Sequence, residues 1–478
     1  MINYNLLTHP FVSQTQKDNY TAVNNPANNE ILAYVYNITE EELEKNILQA
    51  QTAQKEWENL LALQRADILW KWYMLVLEYK KDLAKILTLE MGKPFEESLG
   101  EINYSASFIR WFAEEARRIE GDIIAPTQKN QKILVLKQAI GVCAAITPWN
   151  FPSAMITRKV APALAAGCSM IVKPAMQTPL SAYALEILAR KAGIPKGVFE
   201  VVTGKAELIS NIFCKSNIVR NISFTGSTEV GRKLMAQSAQ TIKKLSLELG
   251  GNAPFIVFND ANIESAVKGI LASKFRNTGQ TCVCANRIYV QSGIYDELTQ
   301  ELKKEIALLK IGNGLENGIT QGPLIDEKAL FKVKEHIQDA INKGAQLIIG
   351  GKPHERGFNF FEPTILTDVN QNMLVAKEET FGPLAPLFKF ETEEEVIQMA
   401  NDTEFGLASY IYTKDLSRLW RVCEALESGM VGVNTGIIST EVAPFGGIKQ
   451  SGLGREGSKY GIEDYLELKY LCVHLDTT

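Results

Sequence analysis

Two side chains of this sequence have the chemistry of a nucleophile and of a general base. Cys282 lies in the small, polar segment NTGQTCVC (277–284), without the apolar neighbours that usually surround a structural cysteine. Glu248 is the single carboxylate in the apolar segment LSLELGG (245–251), where burial would raise its pKa towards that of a base. Each pattern also fits a simpler interpretation, an inert buried thiol and a glutamate on the solvent side of a strand.

A second group of residues could bind phosphate. The segment FTGSTEVG (224–231) follows an apolar run and opens a helical pattern, so backbone N–H groups and the helix dipole at Gly226 and Ser227 would favour an anion. Lys173 adds a positive charge at the same edge of the predicted sheet. The segment lacks the full GxGxxG pattern and is as typical of a plain helix cap, and a single lysine is commonly a surface charge.

The composition favours small molecules as partners over nucleic acid or membrane. The 478 residues are 46% apolar, carry 50 Lys and Arg against 55 Asp and Glu, and contain no polybasic run. Neither a run of 18 apolar residues nor a secretion signal is visible, so we expect a cytoplasmic protein without a membrane span. The seven cysteines do not form a disulfide pattern and the four histidines lack metal-ligand spacing, so we expect no metal.

Alternating strands and helices would position these residues. Apolar residues spaced by three and four between 40 and 89 predict amphipathic helices. Short apolar runs alternate with helical stretches such as 181–192, which predicts an α/β fold with a doubly wound parallel sheet that binds a nucleotide. A second α/β series begins at 254–258. The predicted strands of the first sheet are 142–146, 170–172, 198–202, 222–224 and 245–249.

Two segments, 131–138 and 465–474, are predicted to be strands without a helical partner. Exposed strand edges are usually covered by another element or subunit, so we expect a homo-oligomer, either a dimer or a tetramer. The expected organisation is a nucleotide-binding domain, a second α/β domain that is catalytic, and a small β extension for oligomerisation. The predicted ranges are 1–121 with 142–250, 251–450, and 122–141 with 451–478, respectively.

Seven motifs make this sequence resemble the aldehyde dehydrogenase superfamily over nearly its whole length. In the order of that family, they are TPWNFP (147–152), VKPA (172–175), FTGST (224–228), LELGG (247–251), GQTC (279–282), EETFGP (378–383) and PFGG (444–447). Together they are far more specific than any one motif, and they outweigh the simpler interpretations of the single residues. The resemblance implies the fold expected above and a nicotinamide cofactor.

Carried over residue by residue, the resemblance makes Cys282 the nucleophile that attacks the aldehyde carbon. The Asn150 amide and the Cys282 N–H would hold the resulting oxyanion, and Glu248 would activate the water that hydrolyses the thioester. Coenzyme A-acylating relatives typically lack this carboxylate, so a free acid is the expected product. The positions similar to cofactor contacts of the family are Trp149, Lys173, Met176, Gly226, Ser227, Leu249, Glu379 and Phe381.

Within the superfamily the sequence looks most like succinate-semialdehyde dehydrogenases. This resemblance is carried by SKFRNTGQTCVC (273–284) and GLGREGSKYG (452–461). Arg158 and Arg276 match carboxylate-binding positions of that subfamily, and the Ser439 hydroxyl matches a third. The resemblance predicts oxidation of succinic semialdehyde to succinate, a reaction of 4-aminobutyrate degradation.

The resemblance also bears on cofactor choice and on regulation. Many NAD-using relatives carry a glutamate three residues after the lysine of VKPA, where this sequence has Met176. Without that carboxylate a 2′-phosphate meets no like charge and can pair with Lys173, so we expect NADP to be used at least as well as NAD. Cys284 could close a reversible, strained disulfide with Cys282, as in some members of the subfamily.

The sequence leaves three alternative functions open. A dehydrogenase for glutarate semialdehyde or another ω-carboxylated aldehyde differs by one methylene, which usually changes selectivity by only about 1–3 kcal/mol. A non-catalytic structural or binding protein with this fold is disfavoured because Cys282, Glu248 and Asn150 are all present. An acyl-phosphate reductase is disfavoured by Glu248.

Overall fold

The computed structural model describes residues 2–475; residues 1 and 476–478, at the ends of two predicted domain ranges, lie outside the described part. The strands are β1 (Val12–Ser13), β2 (Tyr20–Asn24), β3 (Ile31–Tyr36), β4 (Asp122–Ile124), β5 (Gln131–Ala139), β6 (Val142–Ile146), β7 (Ser169–Lys173), β8 (Phe199–Val201), β9 (Val219–Thr225), β10 (Lys244–Glu248), β11 (Ala253–Val257), β12 (Ala285–Gln291), β13 (Gln346–Ile349), β14 (Thr364–Thr367), β15 (Leu384–Phe390), β16 (Phe405–Gly406), β17 (Ala408–Tyr412), β18 (Met430–Val433), β19 (Ile448–Lys449), β20 (Gly452–Leu453) and β21 (Leu466–His474). The helices are α1 (Glu40–Glu58), α2 (Ala62–Glu78), α3 (Lys80–Met91), α4 (Phe95–Glu115), α5 (Ala154–Ala166), α6 (Leu180–Ala192), α7 (Ala206–Lys215), α8 (Thr228–Ser238), α9 (Ile263–Ile270), α10 (Tyr295–Ile306), α11 (Glu327–Asn342), α12 (Leu374–Lys377), α13 (Glu393–Asn401) and α14 (Leu416–Ala425).

Five parallel strands form most of the first sheet. Their order is β10-β9-β6-β7-β8, and the short β20 adds an antiparallel edge beside β10. Successive side chains of β6 point to opposite faces: Cys143 and Ala145 belong to one buried apolar cluster, whereas Val142 and Ala144 belong to another. Both faces are therefore covered, which confirms the predicted doubly wound sheet.

The second α/β series forms a seven-stranded sheet. Its order is β13-β14-β15-β12-β11-β17-β18, with β13 antiparallel to β14 and the other pairs parallel. The alternation repeats here, since Phe255 and Val257 pack into one cluster and Ile256 and Phe258 into another. This confirms the second α/β series expected from residue 254 onward.

The two segments predicted as lone strands pair with each other. β5 lies between β4 and β21 and is antiparallel to β21 over its whole length, with Ala139 opposite Leu466. Leu468 and Tyr470 of β21 are largely exposed. The sequence pattern predicted both strands but not their pairing, because the partners are distant in sequence.

The edge where the parallel strands of the first sheet end faces the second series. β6, β9 and β10 are neighbours in the sheet. Trp149 and Gly226 follow two of these strands, Glu248 ends the third, and all three line one cavity together with Cys282 and Glu379 of the second series. Residues from the ends of three neighbouring strands therefore meet at one edge of the sheet, where ligands bind in doubly wound folds.

The predicted helical region 40–89 forms α1, α2 and α3. α1 begins at a capping box, in which the Thr39 hydroxyl accepts a hydrogen bond from the Glu42 N–H and the Glu42 carboxylate accepts one from the Thr39 N–H. α3 ends at Gly92, whose φ of +96° suits glycine. Among residues 2–475, no helix is long and apolar enough to cross a membrane.

Gly92→Ala should lower the thermal midpoint of unfolding, because the added Cβ would lie 2.7 Å from Pro323 and 2.9 Å from Pro26 in a left-handed backbone conformation. Gly100→Ala is the matched control, since Gly100 lies inside α4 and nothing is within 4 Å of its added Cβ. Alanine in a helix is favoured over glycine by about 0.5–1 kcal/mol, so the control midpoint should stay or increase. Circular dichroism melts at one scan rate measure both, and equal midpoints would contradict the packing argument.

Candidate active site

Cys282 lies at the end of a loop with an unusual backbone conformation. Asn277, Thr278 and Gly279 have φ values of +53°, +55° and +76°, a region that residues with a Cβ rarely adopt. A side chain is excluded at Gly279, because its Cβ would lie 2.1 Å from the carbonyl oxygen of Gly382. Such strain persists where the surrounding structure fixes the backbone, and it is common at active sites.

Buried amide side chains hold this loop in place. The Asn277 Nδ2 donates to the carbonyl oxygens of Asn150 and Gln280, each at 3.1 Å. The Gln280 Oε1 accepts a hydrogen bond from the Ile325 N–H at 2.9 Å. The loop is thus fixed both to the segment after β6 and to the segment before α11.

A cavity of about 230 Å³ reaches the Cys282 side chain, which is 9% exposed. Burial raises the pKa of this thiol well above its usual range, and the Glu248 carboxylate raises it further. The resting side chain is therefore a thiol that needs a base to react as a nucleophile. The residues that line the cavity are Pro148, Trp149, Asn150, Thr225, Gly226, Ser227, Glu248, Leu249, Gly250, Cys282, Glu379 and Phe381.

The carboxyl group in this cavity belongs to Glu248, which ends β10 and is 3% exposed. Neither of its oxygens has a hydrogen-bond partner within residues 2–475. Burial raises the pKa of Glu248 to about 7, and Glu456 also raises it, whereas Arg158 lowers it. The Nη2 of Arg158 is 3.8 Å from Glu248 Oε2. A carboxyl group with this pKa can accept and release a proton at neutral pH.

Behind Glu248, two adjacent cations of α5 form ion pairs with one carboxylate. Arg158 Nε and Lys159 Nζ contact different oxygens of Glu456, and Lys159 also donates to Ser223 Oγ at 3.1 Å. All three charged side chains are buried. Neither Lys159 nor Glu456 was among the site residues expected from the sequence. The sequence did contain a signal for such a cluster, because two successive cations in an apolar helical stretch require a buried partner of opposite charge.

Asn150 follows β6, and its side chain and backbone are both held. Its Nδ2 donates to the Gln280 carbonyl at 3.1 Å, and its own carbonyl accepts from Lys93 Nζ at 2.8 Å. Lys93 is 1% exposed and pairs with Glu101, whose other oxygen accepts from the Ser153 N–H at 2.9 Å. This buried ion pair fixes the backbone of Asn150, and no motif in the sequence indicated it.

Six of the eight predicted cofactor contacts line the cavity: Trp149, Gly226, Ser227, Leu249, Glu379 and Phe381. At Gly226 the backbone has little room for a side chain, since a Cβ would lie 2.4 Å from the Phe224 ring. Ser227 caps α8, and its hydroxyl accepts from the Val230 N–H at 3.4 Å. The capping role is compatible with an anion at the same helix N-terminus.

The other two predicted contacts, Lys173 and Met176, lie outside the cavity lining. Lys173 is 5% exposed and forms no ion pair within the described range; burial alone lowers its pKa to about 8. A buried cation without a counter-charge is unfavourable and indicates an anionic partner from outside the chain. Met176 Sδ accepts a hydrogen bond from the Gly204 N–H at 3.3 Å.

His336 supports the loop that carries Glu379 and Phe381. Its Nδ1 lies 3.0 Å from Thr380 Oγ1, and its Nε2 lies 3.4 Å from a carboxylate oxygen of Glu378. Burial lowers the pKa of His336 to about 4, so the ring is neutral at pH 7. No motif or spacing in the sequence pointed to this histidine.

Of the three predicted carboxylate contacts, Arg276 is the most available. Its Nε is buried without a hydrogen-bond partner among residues 2–475. Arg158 is only partly available, because its Nε is paired with Glu456. Both arginines lie close enough to Cys282 to act against the increase of its pKa. Ser439 is half-buried and makes no hydrogen bond to either arginine within the described chain.

Cys284 is the second thiol of the loop that carries Cys282. Cys282 and Cys284 are both free, and Cys284 Sγ is 3.4 Å from the Lys274 carbonyl oxygen. Burial raises the pKa of Cys284. The structure thus contains the reduced pair, and its regulation by a disulfide stays a prediction.

Comparison with known proteins agrees with this geometry. Residues 11–471 match the aldehyde dehydrogenase family. The succinate-semialdehyde dehydrogenase [NADP(+)] of Escherichia coli K12 is 62% identical, over 95% of this chain and 94% of that protein. The glutarate-semialdehyde dehydrogenase of Pseudomonas aeruginosa is 62% identical, over 94% of this chain and 93% of that protein. The structure of succinate-semialdehyde dehydrogenase from Burkholderia pseudomallei matches with a TM-score of 0.97 and 56% identity, over 99% of this chain and 100% of that chain.

The match covers both α/β series and nearly all of the sheet formed by β4, β5 and β21. The sequence identities are far higher than those of proteins that share only a fold. The match confirms the predicted fold class and the prediction of an aldehyde dehydrogenase with a nicotinamide cofactor. The chain belongs to the aldehyde dehydrogenase family.

Proposed function

We propose that this protein oxidises succinic semialdehyde to succinate with NADP or NAD. The observation that carries the proposal is Arg276, whose buried Nε has no hydrogen-bond partner within residues 2–475, close to the thiol of Cys282. A cation that is near the nucleophile but not bonded to it can bind the carboxylate at the other end of an aldehyde substrate. The names of the relatives from Escherichia coli and Burkholderia pseudomallei support the same substrate.

The residues around the cavity fit a nicotinamide dinucleotide. The bare backbone at Gly226, the helix N-terminus at Ser227 and the unpaired charge of Lys173 suit its phosphates and ribose. When bound, the cofactor accepts a hydride from the carbon that Cys282 has attacked. The residues that would hold it are Trp149, Lys173, Met176, Gly226, Ser227, Leu249, Glu379 and Phe381.

Cys282 supplies the nucleophile. Its thiol releases a proton to solvent water, and the thiolate adds to the aldehyde carbon, so that negative charge develops on the aldehyde oxygen. The Asn150 Nδ2 and the Cys282 N–H are the donors for this oxyanion, with Asn150 exchanging its present acceptor, the Gln280 carbonyl, for the charged oxygen. Loss of the hydride leaves a thioester on Cys282.

Glu248 activates the water that hydrolyses this thioester. Its carboxylate accepts a proton from the attacking water, the bond between sulfur and the acyl carbon breaks, and Glu248 passes the proton to the sulfur of Cys282 as the acid leaves. Burial beside cations keeps the pKa of Glu248 near 7, so the group can repeat this cycle at neutral pH.

Glu248→Gln should lower steady-state turnover by about 10²–10⁴-fold, because the amide cannot accept the proton of water. Mass spectrometry after mixing with aldehyde and cofactor should find an acyl adduct on Cys282, and Cys282→Ala should show none.

Since the base works ionised and its pKa is about 7, wild-type hydrolysis should increase with pH through 7 and then level off. If the Glu248→Gln variant formed no adduct, Glu248 would be needed before the thioester forms, and this mechanism would be contradicted.

Arg276→Ala should remove the preference for carboxylated aldehydes. We expect the wild type to prefer succinic and glutaric semialdehyde over butanal by about tenfold or more in kcat/KM, and the variant to lose that advantage with the lost bidentate donor. Steady-state formation of the reduced cofactor measures all three aldehydes. Arg356→Ala is the control, since Arg356 is exposed and pairs with Glu316. Equal use of butanal by the wild type would refute the carboxylate assignment.

Glutaric semialdehyde is a second candidate substrate. It differs from succinic semialdehyde by one methylene, a difference that usually changes selectivity by only about 1–3 kcal/mol. The Pseudomonas aeruginosa relative, as similar as the Escherichia coli one, is a glutarate-semialdehyde dehydrogenase. The ratio of the two kcat/KM values in the experiment above decides between them.

We propose that NADP is used at least as well as NAD. Met176→Glu should shift the NADP/NAD ratio of kcat/KM towards NAD, because the new carboxylate repels a 2′-phosphate and can accept hydrogen bonds from the ribose. Met176→Gln, which has the same size without the charge, should shift the ratio much less. A wild-type ratio below about one tenth would contradict the proposal.

We also propose a cytoplasmic homo-oligomer, a dimer or a tetramer. The exposed side chains of Leu468 and Tyr470 on an outer strand offer an apolar surface to a second copy. The free cysteines fit a reducing compartment. The domain ranges given above remain part of this proposal.

A further inference from the structure

Three buried hydrogen-bond donors near Cys282 have no acceptor. They are the Nη2 of Arg158, the Nε of Arg276 and the hydroxyl of Tyr104, none of which has a partner at normal hydrogen-bond geometry within residues 2–475. The Tyr104 oxygen faces Arg158 as an acceptor, which leaves the hydroxyl proton without an acceptor of its own. Native proteins rarely leave buried polar groups unsatisfied, and charged donors are the least tolerated. Three such groups together indicate that a ligand supplies the acceptor.

The packing of two helices places Tyr104 beside Arg158. Tyr104 lies on α4, Arg158 lies on α5, and the two helices pack against each other. The next residue after Tyr104 is Ser105 and the residue before Arg158 is Thr157, and their hydroxyl oxygens are 3.1 Å apart. This buried contact fixes the register of the two helices. Arg158 lowers the pKa of Tyr104 through a side-chain hydrogen bond as well as through its charge, so the two side chains meet.

Arg276 lies within electrostatic range of the same hydroxyl. Burial raises the pKa of the Tyr104 hydroxyl, while the charges of both Arg158 and Arg276 act to lower it. Both guanidinium groups are therefore near the hydroxyl, and the hydroxyl stays neutral and keeps its proton to donate. Arg276 is further held above the Phe151 ring, with its guanidinium carbon 5.5 Å from the ring centre.

The two arginines alone leave a carboxylate incompletely bound. The Nε of Arg158 is paired with Glu456, and the Nη2 of Arg158 lies 3.8 Å from a Glu248 oxygen. The charge of Arg158 is therefore shared between two carboxylates. A substrate carboxylate has two oxygens with about four lone-pair directions, which a single available arginine does not fill.

We infer that the Tyr104 hydroxyl donates a hydrogen bond to the distal carboxylate of the substrate and helps to select carboxylated aldehydes. The inference rests on the proposed function, and it adds a specificity residue from α4 that no motif indicated. Because the hydroxyl is neutral, it contributes a hydrogen bond without changing the charge of the site.

Tyr104→Phe tests this, since the phenyl ring keeps the edge-to-face packing on Phe108 at 4.8 Å and removes only the hydroxyl. We expect kcat/KM for succinic semialdehyde to decrease by about 10–100-fold, mainly through KM, as for a lost hydrogen bond to a charged group. For butanal, which has no carboxylate, kcat/KM should change by less than about threefold. Tyr183→Phe is the matched control, because it removes a buried hydroxyl that bonds Thr203 at 2.7 Å outside the site.

The outcomes are distinct. A loss confined to the carboxylated aldehyde in Tyr104→Phe and absent from Tyr183→Phe supports the inference. Equal losses for both aldehydes show that Tyr104 only packs, and no loss shows that its hydroxyl does not meet the substrate; either result overturns the inference while the proposed function stands. A wild type without preference for the carboxylated aldehyde refutes the proposed function, and the inference with it.

Discussion

The ion pairs that Glu456 forms with Arg158 and Lys159 are the interaction on which the rest of the site depends. Two adjacent cations inside α5 would be strongly unfavourable in the core without a carboxylate between them. The same cluster sets the pKa of Glu248: burial and Glu456 raise it, Arg158 and Lys159 lower it, and the balance is near 7. A base for neutral pH therefore requires the cations of α5 and the C-terminal segment together.

Glu456 reaches α5 because the backbone around it is tied to the site. Phe445 and Glu456 exchange two N–H···O hydrogen bonds, each 2.8 Å long, and the Leu249 N–H donates to the Ser451 carbonyl at 2.9 Å. Leu249 directly follows Glu248, so the segment that carries the counter-charge is attached next to the base it regulates. The strained loop before Cys282 brings the thiol to the same cavity from the second sheet.

Local sequence patterns predict the elements well but not the contacts between distant ones. The alternation of apolar runs and helical stretches placed the strands close to their observed bounds, because those bounds depend on neighbouring residues only. It put Glu248 inside the strand predicted over 245–249, and in the structure β10 ends at Glu248. The pairing of Lys159 with Glu456 joins residues 297 apart, and a single sequence does not say which distant residues meet. The pairing of β5 with β21 has the same cause. For Arg158, motif similarity suggested a substrate contact, but its ion pair with Glu456 depends on tertiary structure.

Under the proposed function, substrate charge and base strength are coupled. Among the neighbouring charges, that of Arg158 has the largest effect in lowering the pKa of Glu248. A substrate carboxylate bound beside Arg158 and Arg276 offsets part of that effect, so the pKa of Glu248 increases while the substrate is present. An uncharged aldehyde such as butanal leaves the cluster unchanged. The cations that recognise the substrate thus also adjust the group that accepts a proton from water. A carboxylated aldehyde meets a base of higher pKa than an uncharged one does, and a smaller fraction of that base is ionised at pH 7.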